Sequence, residues 1–288
     1  MNRGVDVAEL SKRLDPLLAL SRSLLLLLLL LNSAASSAQS VTVAVAANFA
    51  GTLERIAERF TELTGEQVFT VVAATGVLHA QIEQGAPFHV FLAADQRHPA
   101  DLVEGGLALN GSRFTYALGR LAFWLPGAKG TVEISHFQAS RSNRLALANP
   151  RLAPYGAAAE ALLQSLPTHT SALDNVVYGQ DVAATFSLIH SGNAPAGLVA
   201  LPQLLARNIP HQEYQVIDAG RHPPIAQDAV LTRRGADNPT AQRFMTFLLG
   251  RESRALIKAA GYELPQAGPV RDEPTAPDPA QAGDDDEH

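Results

Sequence analysis

From Val41 to Ala47 the chain reads Val-Thr-Val-Ala-Val-Ala-Ala, a run of β-branched and small apolar residues with almost no polar break. A strand with one wet face alternates. An unbroken apolar run fits a strand covered on both faces, which means a parallel sheet between layers of helix. The residues that follow agree. Leu53, Ile56, Ala57 and Phe60 fall at helical spacing, with Glu54, Arg55, Glu58 and Arg59 between them, and Gly65 supplies a stop. Val68 to Ala73 reads as a second strand, Ala74-Thr75-Gly76 as a turn, and Val77 to Gln84 as a helix closed by Gly85. Val90 to Ala94 is a third strand, ending at Asp95. This β-α-β-α-β rhythm predicts a doubly wound parallel sheet with right-handed connections.

The rhythm restarts after about residue 120. Leu121 to Leu125 and Leu145 to Ala148 read as strands, and Ala157 to Leu166 as an alanine-rich helix. Asn175 to Tyr178 is a strand, Val182 to His190 a helix, and Ala196 to Ala200 a buried strand. Val230 and Leu231 add one more strand, and residues 241–260 carry helices with a basic last stretch (Arg251, Arg254, Lys258). A chain of 288 residues has room for two medium domains. The expected class is α/β, with a second α/β lobe after the first.

Both ends differ from this body. Leu24 to Leu31 is an unbroken leucine run, preceded by Arg22 and followed by Asn-Ser-Ala-Ala-Ser-Ser-Ala38. A basic flank, a short apolar stretch and small residues at its end fit a secretory signal cleaved after Ala38. The run is short for a membrane span, which takes about 20 residues. Residues 1–38 are therefore expected to be a leader, and the mature chain to begin near Gln39 and fold outside the cytoplasm. From Pro265 onward Pro, Ala, Gly and Asp dominate, so residues 263–288 are expected to form a disordered acidic tail.

Charge is divided unevenly. The formal net charge is −6, yet the stretch from Arg271 to His288 alone holds seven acids against one base, and the leader holds four bases against three acids. The folded body is left close to neutral, without the dense basic face that a nucleic-acid partner requires. The chain has no cysteine, which excludes disulfides, thiolate metal sites and a cysteine nucleophile.

Asn48, Thr75 and the Tyr155-Gly156 turn each follow a strand and stand at a helix start, and Val182 opens a further helix. Helix starts present unpaired N–H groups and a partial positive charge, so several converging on one point would hold an anion without Lys or Arg. In open α/β sheets that point lies beyond the strand C-termini. Taken singly, Asn and Thr are also ordinary N-cap residues, and Asp181 reads as the cap of the Val182 helix. The nine histidines form no HExxH pair, and there is no GxSxG elbow or Walker loop. His79 and His89 read as surface or core histidines, and Asp95-Gln96-Arg97 as an exposed turn with local pairing.

Three segments carry a resemblance: Val43-Ala-Val-Ala-Ala-Asn-Phe49, Gln81-Ile-Glu-Gln-Gly-Ala-Pro87 and Val90-Phe-Leu-Ala-Ala-Asp95. With Ala148-Asn-Pro150, Ala153-Pro-Tyr-Gly156, Gln180-Asp-Val182 and Asn193 to Val199, they make residues 40 to 262 resemble the periplasmic molybdate-binding components of bacterial ABC importers. The resemblance implies a periplasmic-binding-protein fold of two doubly wound α/β lobes joined by a crossing-strand hinge. Lobe one would take residues 39–118 plus 225–262 and lobe two 119–224, with crossovers near Ala117 to Arg120 and Pro224 to Gln227. Carried onto this chain, the family's oxyanion contacts fall at Asn48, Thr75, Tyr155 and Val182. Many members have Ser at the first two positions; Asn and Thr still offer a side-chain donor beside the backbone N–H. Many members also use a tyrosine on the strand that here ends at Ala200, which has no donor, while Tyr155 stands where many have alanine. Tyr155 is therefore expected to supply the missing hydroxyl.

The implied function is non-enzymatic capture of molybdate, and of tungstate, for an inner-membrane ABC permease with its ATPase. The oxyanion would be the ligand, no cofactor is expected, and the chain should be a monomer. Two alternatives stay open: the same fold holding another oxyanion such as sulfate, and an exported α/β enzyme.

Overall fold

The computed structural model describes residues 39–137, 143–166 and 175–266. The expected leader lies outside them.

The first lobe is built on β1 (Ser40–Ala46), β2 (Gln67–Ala73), β3 (Val90–Leu92), β4 (Phe114–Gly119) and β10 (Ile225–Leu231), in the sheet order β2-β1-β3-β10-β4. Strand β1 pairs in parallel with β2 and β3. Its residues pack both ways, as the apolar run requires. Val41, Val43 and Val45 meet Leu53, Ile56, Phe60, Phe244 and Leu248 on one side, and Ala44 meets Leu78, Ile82 and Phe91 on the other. The helices doing this are α1 (Ala50–Thr64), α2 (Thr75–Glu83), α3 (Arg97–Glu104) and, from the far end of the chain, α7 (Pro239–Leu249) and α8 (Arg251–Ala259). Gly65 ends α1 at φ 73°, a left-handed value that favours glycine.

The second lobe is built on β5 (Leu121–Trp124), β6 (Leu145–Ala148), β7 (Val176–Gly179), β8 (Ala196–Ala200) and β9 (Tyr214–Val216), ordered β7-β6-β8-β5-β9. Its helices are α4 (Pro154–Gln164), α5 (Val182–His190) and α6 (Leu201–Ala206). Both sheets place a parallel trio first and two further strands beyond it. The β-α-β strands are parallel as expected, but the sheets are mixed: β10 runs antiparallel to β3 and β4, and β5 antiparallel to β8 and β9. These strands do not arise from β-α-β units. They enter their sheets from the other lobe, so no crossover helix sets their direction.

Residues 117–120 and 224–227, where crossings are expected, run side by side. Ile225 pairs with Gly119, Ala226 with Leu118 and Gln227 with Ala117. A single residue, Arg120, separates β4 of one sheet from β5 of the other. Residues 263 and 264, expected in the tail, belong to the folded body instead: Glu263 and Leu118 exchange two backbone hydrogen bonds, of 2.8 and 3.0 Å, and Leu264 packs on the first lobe's core. Residues beyond 266 lie outside the described ones.

Three elements exceed the sequence reading. Asp95-Gln96-Arg97 leads into α3 rather than forming a free turn, although its local pairing is present: Asp95 Oδ1 accepts from the His98 amide at 3.0 Å. Helix α6 follows β8 directly, where no helix is expected. Helix α4 opens at Pro154 instead of Ala157, since proline is at home in a first turn whose N–H groups have no partner anyway.

Candidate functional site

Asn48, Thr75, Tyr155 and Val182 line one small cavity, of about 10 Å³, beside Ala46, Ala74, Ala94 and Ala153. The sequence brought these four together from four strand-to-helix junctions, and the structure does the same. All are buried, with 5, 1, 2 and 3 % of their surfaces exposed. Their backbone amides make no hydrogen bond among the described residues. Four unpaired N–H groups, each at the positive end of a helix, therefore belong to residues around one cavity.

Asn48 sits two residues past β1, and the N-cap position of α1 falls to Phe49 without any side-chain cap bond. The capping alternative for Asn48 is thus set aside. Its side-chain amide is committed elsewhere: Nδ2 donates to Gln227 Oε1 at 2.8 Å and to the Tyr262 hydroxyl at 3.2 Å, and Tyr262 donates to the Asn48 carbonyl at 2.7 Å. The expected free side-chain donor at Asn48 is corrected accordingly. What remains is its backbone N–H, held in place by the side chain.

Thr75 is the first residue of α2. Its Oγ1 accepts from the Ala94 amide at 3.0 Å, which leaves the hydroxyl proton without an acceptor among the described residues. The next amide, Gly76 N–H, donates to the Leu152 carbonyl at 3.0 Å, a backbone bond between the lobes beside the cavity.

Tyr155 lies in the first turn of α4, where the Ala148 carbonyl leaves Gly156 no room for a Cβ. This close approach seats the helix start on the end of β6 and presses Tyr155 toward the crossing strands. Its hydroxyl has no hydrogen-bond partner among the described residues. Burial holds the phenol well above its ordinary pKa, so it is a neutral donor at any pH near 7. The Arg120 backbone and the Asn48 and Gln227 side chains face its oxygen.

Val182 opens α5, and Asp181 caps it as expected, Oδ1 accepting from Ala183 N–H at 2.9 Å and Ala184 N–H at 2.8 Å. The carboxylate thus takes the second and third amides of the turn and leaves Val182 its own. Ala200 does not line the cavity; its N–H donates to Gln203 Oε1 at 3.2 Å.

No Lys or Arg lines this cavity. Arg97, His98 and Arg151 line a neighbouring one that shares Ala94, Ala153 and Pro154 with it, so these basic side chains stand beside the cavity rather than in its lining. His79 and His89 lie elsewhere. His79 packs edge-on against His98 at 4.9 Å, and burial lowers its pKa, as does the His98 charge; His89 Nδ1 accepts from Thr42 N–H at 2.9 Å. Among the described residues no three His, Asp or Glu side chains gather in a metal-binding group. The residues that sequence reasoning missed stand behind the cavity: Gln227, Tyr116 and Tyr262. The available signal was Gln227-Asp228, a polar pair inside the otherwise apolar run from Ile225 to Leu231.

A family model for bacterial extracellular solute-binding proteins matches residues 41–263. This chain belongs to that family. Among individual relatives of this solute-binding protein, the molybdate-binding protein ModA of Azotobacter vinelandii is 38% identical over 260 residues, spanning 85% of this chain and 98% of that one. ModA of Rhodobacter capsulatus is 36% identical over 231 residues, spanning 78% and 88%. The solved structure of the A. vinelandii periplasmic molybdate-binding protein superimposes with a TM-score of 0.72, covering 78% of this solute-binding protein and all of that chain.

Proposed function

We propose that this protein captures molybdate in the periplasm, and tungstate as well, and delivers it to an inner-membrane ABC importer. The observation that carries the reading is the convergence of four helix starts with unpaired amides on one cation-free cavity. The relatives' names support the choice of oxyanion.

Each residue has a role in this reading. The amides of Asn48, Thr75, Tyr155 and Val182 and the hydroxyls of Thr75 and Tyr155 donate to the oxyanion. Tyr155 takes the place of a hydroxyl that Ala200 lacks. Each of these groups donates; the one carboxylate that also lines the cavity, Asp181, has its Oδ1 taken by the Ala183 and Ala184 amides. A molybdate dianion carries no proton at neutral pH and only accepts, whereas protonated phosphate would bring an O–H that finds no acceptor. Sulfate satisfies the same bonding rule, so its exclusion rests on size, through bonds shorter than those to molybdenum. Asn48 and Thr75 belong to one lobe and Tyr155 and Val182 to the other, so the shell is complete only when the lobes meet. The Gly76 to Leu152 bond is one of the contacts that holds them together. The oxyanion is cargo, and the protein acts as a monomer with no cofactor of its own.

Calorimetric titration of the mature chain with molybdate, tungstate, sulfate and phosphate tests this. Saturable heat from the first two at micromolar protein, with none from phosphate, is expected. Silence with molybdate and tungstate would end the proposal, and heat from sulfate alone would replace the ligand while keeping the site.

A further inference from the structure

Gln227 is fully buried on β10, opposite Ala117 in the crossing pair. Its Oε1 accepts from Asn48 Nδ2 at 2.8 Å and lies 3.2 Å from the Tyr116 hydroxyl, whose one proton is shared with the Ala93 carbonyl at 3.0 Å. The Asn48 contact fixes which end of the amide is oxygen, because a reversed amide would set one NH₂ against another. A register slip assists: beyond Gln227, Asp228 pairs with Thr115 and Tyr116 is the extra residue, as at a β-bulge, where side chains are re-aimed. The other end of the amide, Nε2, has no partner among the described residues. A buried amide donor left unpaired is costly.

The Tyr155 hydroxyl is also without a partner, and it stands on the same face of the crossing strands. Gly119 pairs with Ile225, two residues from Gln227 and so on the same side of the strand, and a Cβ on Gly119 would collide with that hydroxyl. The two unpaired groups are complementary. One can only donate, and the other can accept at oxygen while donating its proton elsewhere.

We propose that Gln227 is a positioning residue for Tyr155: its Nε2 donates to the phenol oxygen in the loaded protein, so that the phenol proton is directed at the bound anion. The inference rests on the oxyanion reading above. It also explains how a side chain with an acceptor can sit behind amides and hydroxyls that donate. The Oε1 is already occupied by Asn48 and Tyr116, so Gln227 turns only protons toward the cavity.

The test is a double-substitution cycle read by calorimetric titration with molybdate. Gln227→Met removes the amide at similar volume, and Tyr155→Phe removes the hydroxyl. Each is expected to weaken binding about tenfold, the effect of one hydrogen bond. Combined, they should be no weaker than Tyr155→Phe alone, since Gln227 acts through that hydroxyl. Multiplied effects, or an unchanged Gln227→Met, would overturn the assignment. If Gln227→Met does not fold, Gln227→Glu keeps the oxygen that Asn48 and Tyr116 need and exchanges only Nε2 for an acceptor. That acceptor should divert the phenol proton, so Tyr155→Phe should then cost nothing further; a full tenfold loss in that background would count against the relay. Wild-type protein in the same series separates the two ideas. If it gives no heat with molybdate, the functional reading falls; if it binds and Gln227→Met binds equally well, only the role of Gln227 falls.

Discussion

The hydroxyl of Tyr155 occupies the space that a Cβ on Gly119 would need. Gly119 closes β4, one residue before the chain enters the second sheet, while Tyr155 starts a helix of that second lobe. A candidate ligand group is thereby pressed against the strand that joins the lobes, and glycine is required there for space and not for its backbone angles.

Gly119→Ala should therefore damage binding without touching the cavity wall directly. The added methyl must push Tyr155 or Ile225 aside. Molybdate affinity is expected to fall tenfold or more, with a loss of about 1–3 kcal/mol of stability from overpacking. Calorimetry and urea unfolding read the two effects separately. Wild-type affinity would mean that the position of Tyr155 does not matter to the ligand.

Asp181 lines the cavity while capping α5, so its charge and its cap can be tested apart. Asp181→Ala should cost about 1 kcal/mol of stability. Asp181→Asn keeps a capping oxygen and removes the charge, so stability should hold and molybdate should bind severalfold more tightly, most visibly at low salt. Equal affinity for Asp181→Asn and wild type at low ionic strength would show that the carboxylate does not oppose the anion.

Three buried tyrosines give the fold an alkaline limit. Burial, first of all, raises the pKa of Tyr116, Tyr155 and Tyr262 above the ordinary phenol value. Below about pH 10 folded and unfolded chains both keep these protons, and there is no effect. Above it the unfolded chain releases protons that the folded one retains, so stability falls, by about 1.4 kcal/mol per pH unit for each tyrosine. Urea midpoints should be level from pH 7 to 9 and drop between about pH 10 and 12. A level midpoint to the end of that range would contradict it.

Much of this was legible in the residues, and the parts that were not share a cause. The β1 run, the α1 spacing and the limits of β6, α5 and β8 are set locally, by apolar pattern and by stops such as Gly65. Helix starts also announce themselves locally, which is why all four cavity residues could be named from sequence. The antiparallel strands could not, because β10 owes its direction to partners more than a hundred residues away. The use made of Asn48 was hidden likewise: its side chain is taken by Gln227 and Tyr262, 179 and 214 residues further on. Local pattern shows which groups stand at a site; long-range pairing decides which of their atoms remain free.

Diffraction at the molybdenum absorption edge, from crystals grown with molybdate, tests the central claim most directly. The account predicts one strong anomalous peak in the cavity, with oxygens within hydrogen-bond reach of the Asn48, Thr75, Tyr155 and Val182 amides and of the Thr75 and Tyr155 hydroxyls. A peak among Arg97, His98 and Arg151 instead, or an ordered cavity with no molybdenum in it, would contradict it.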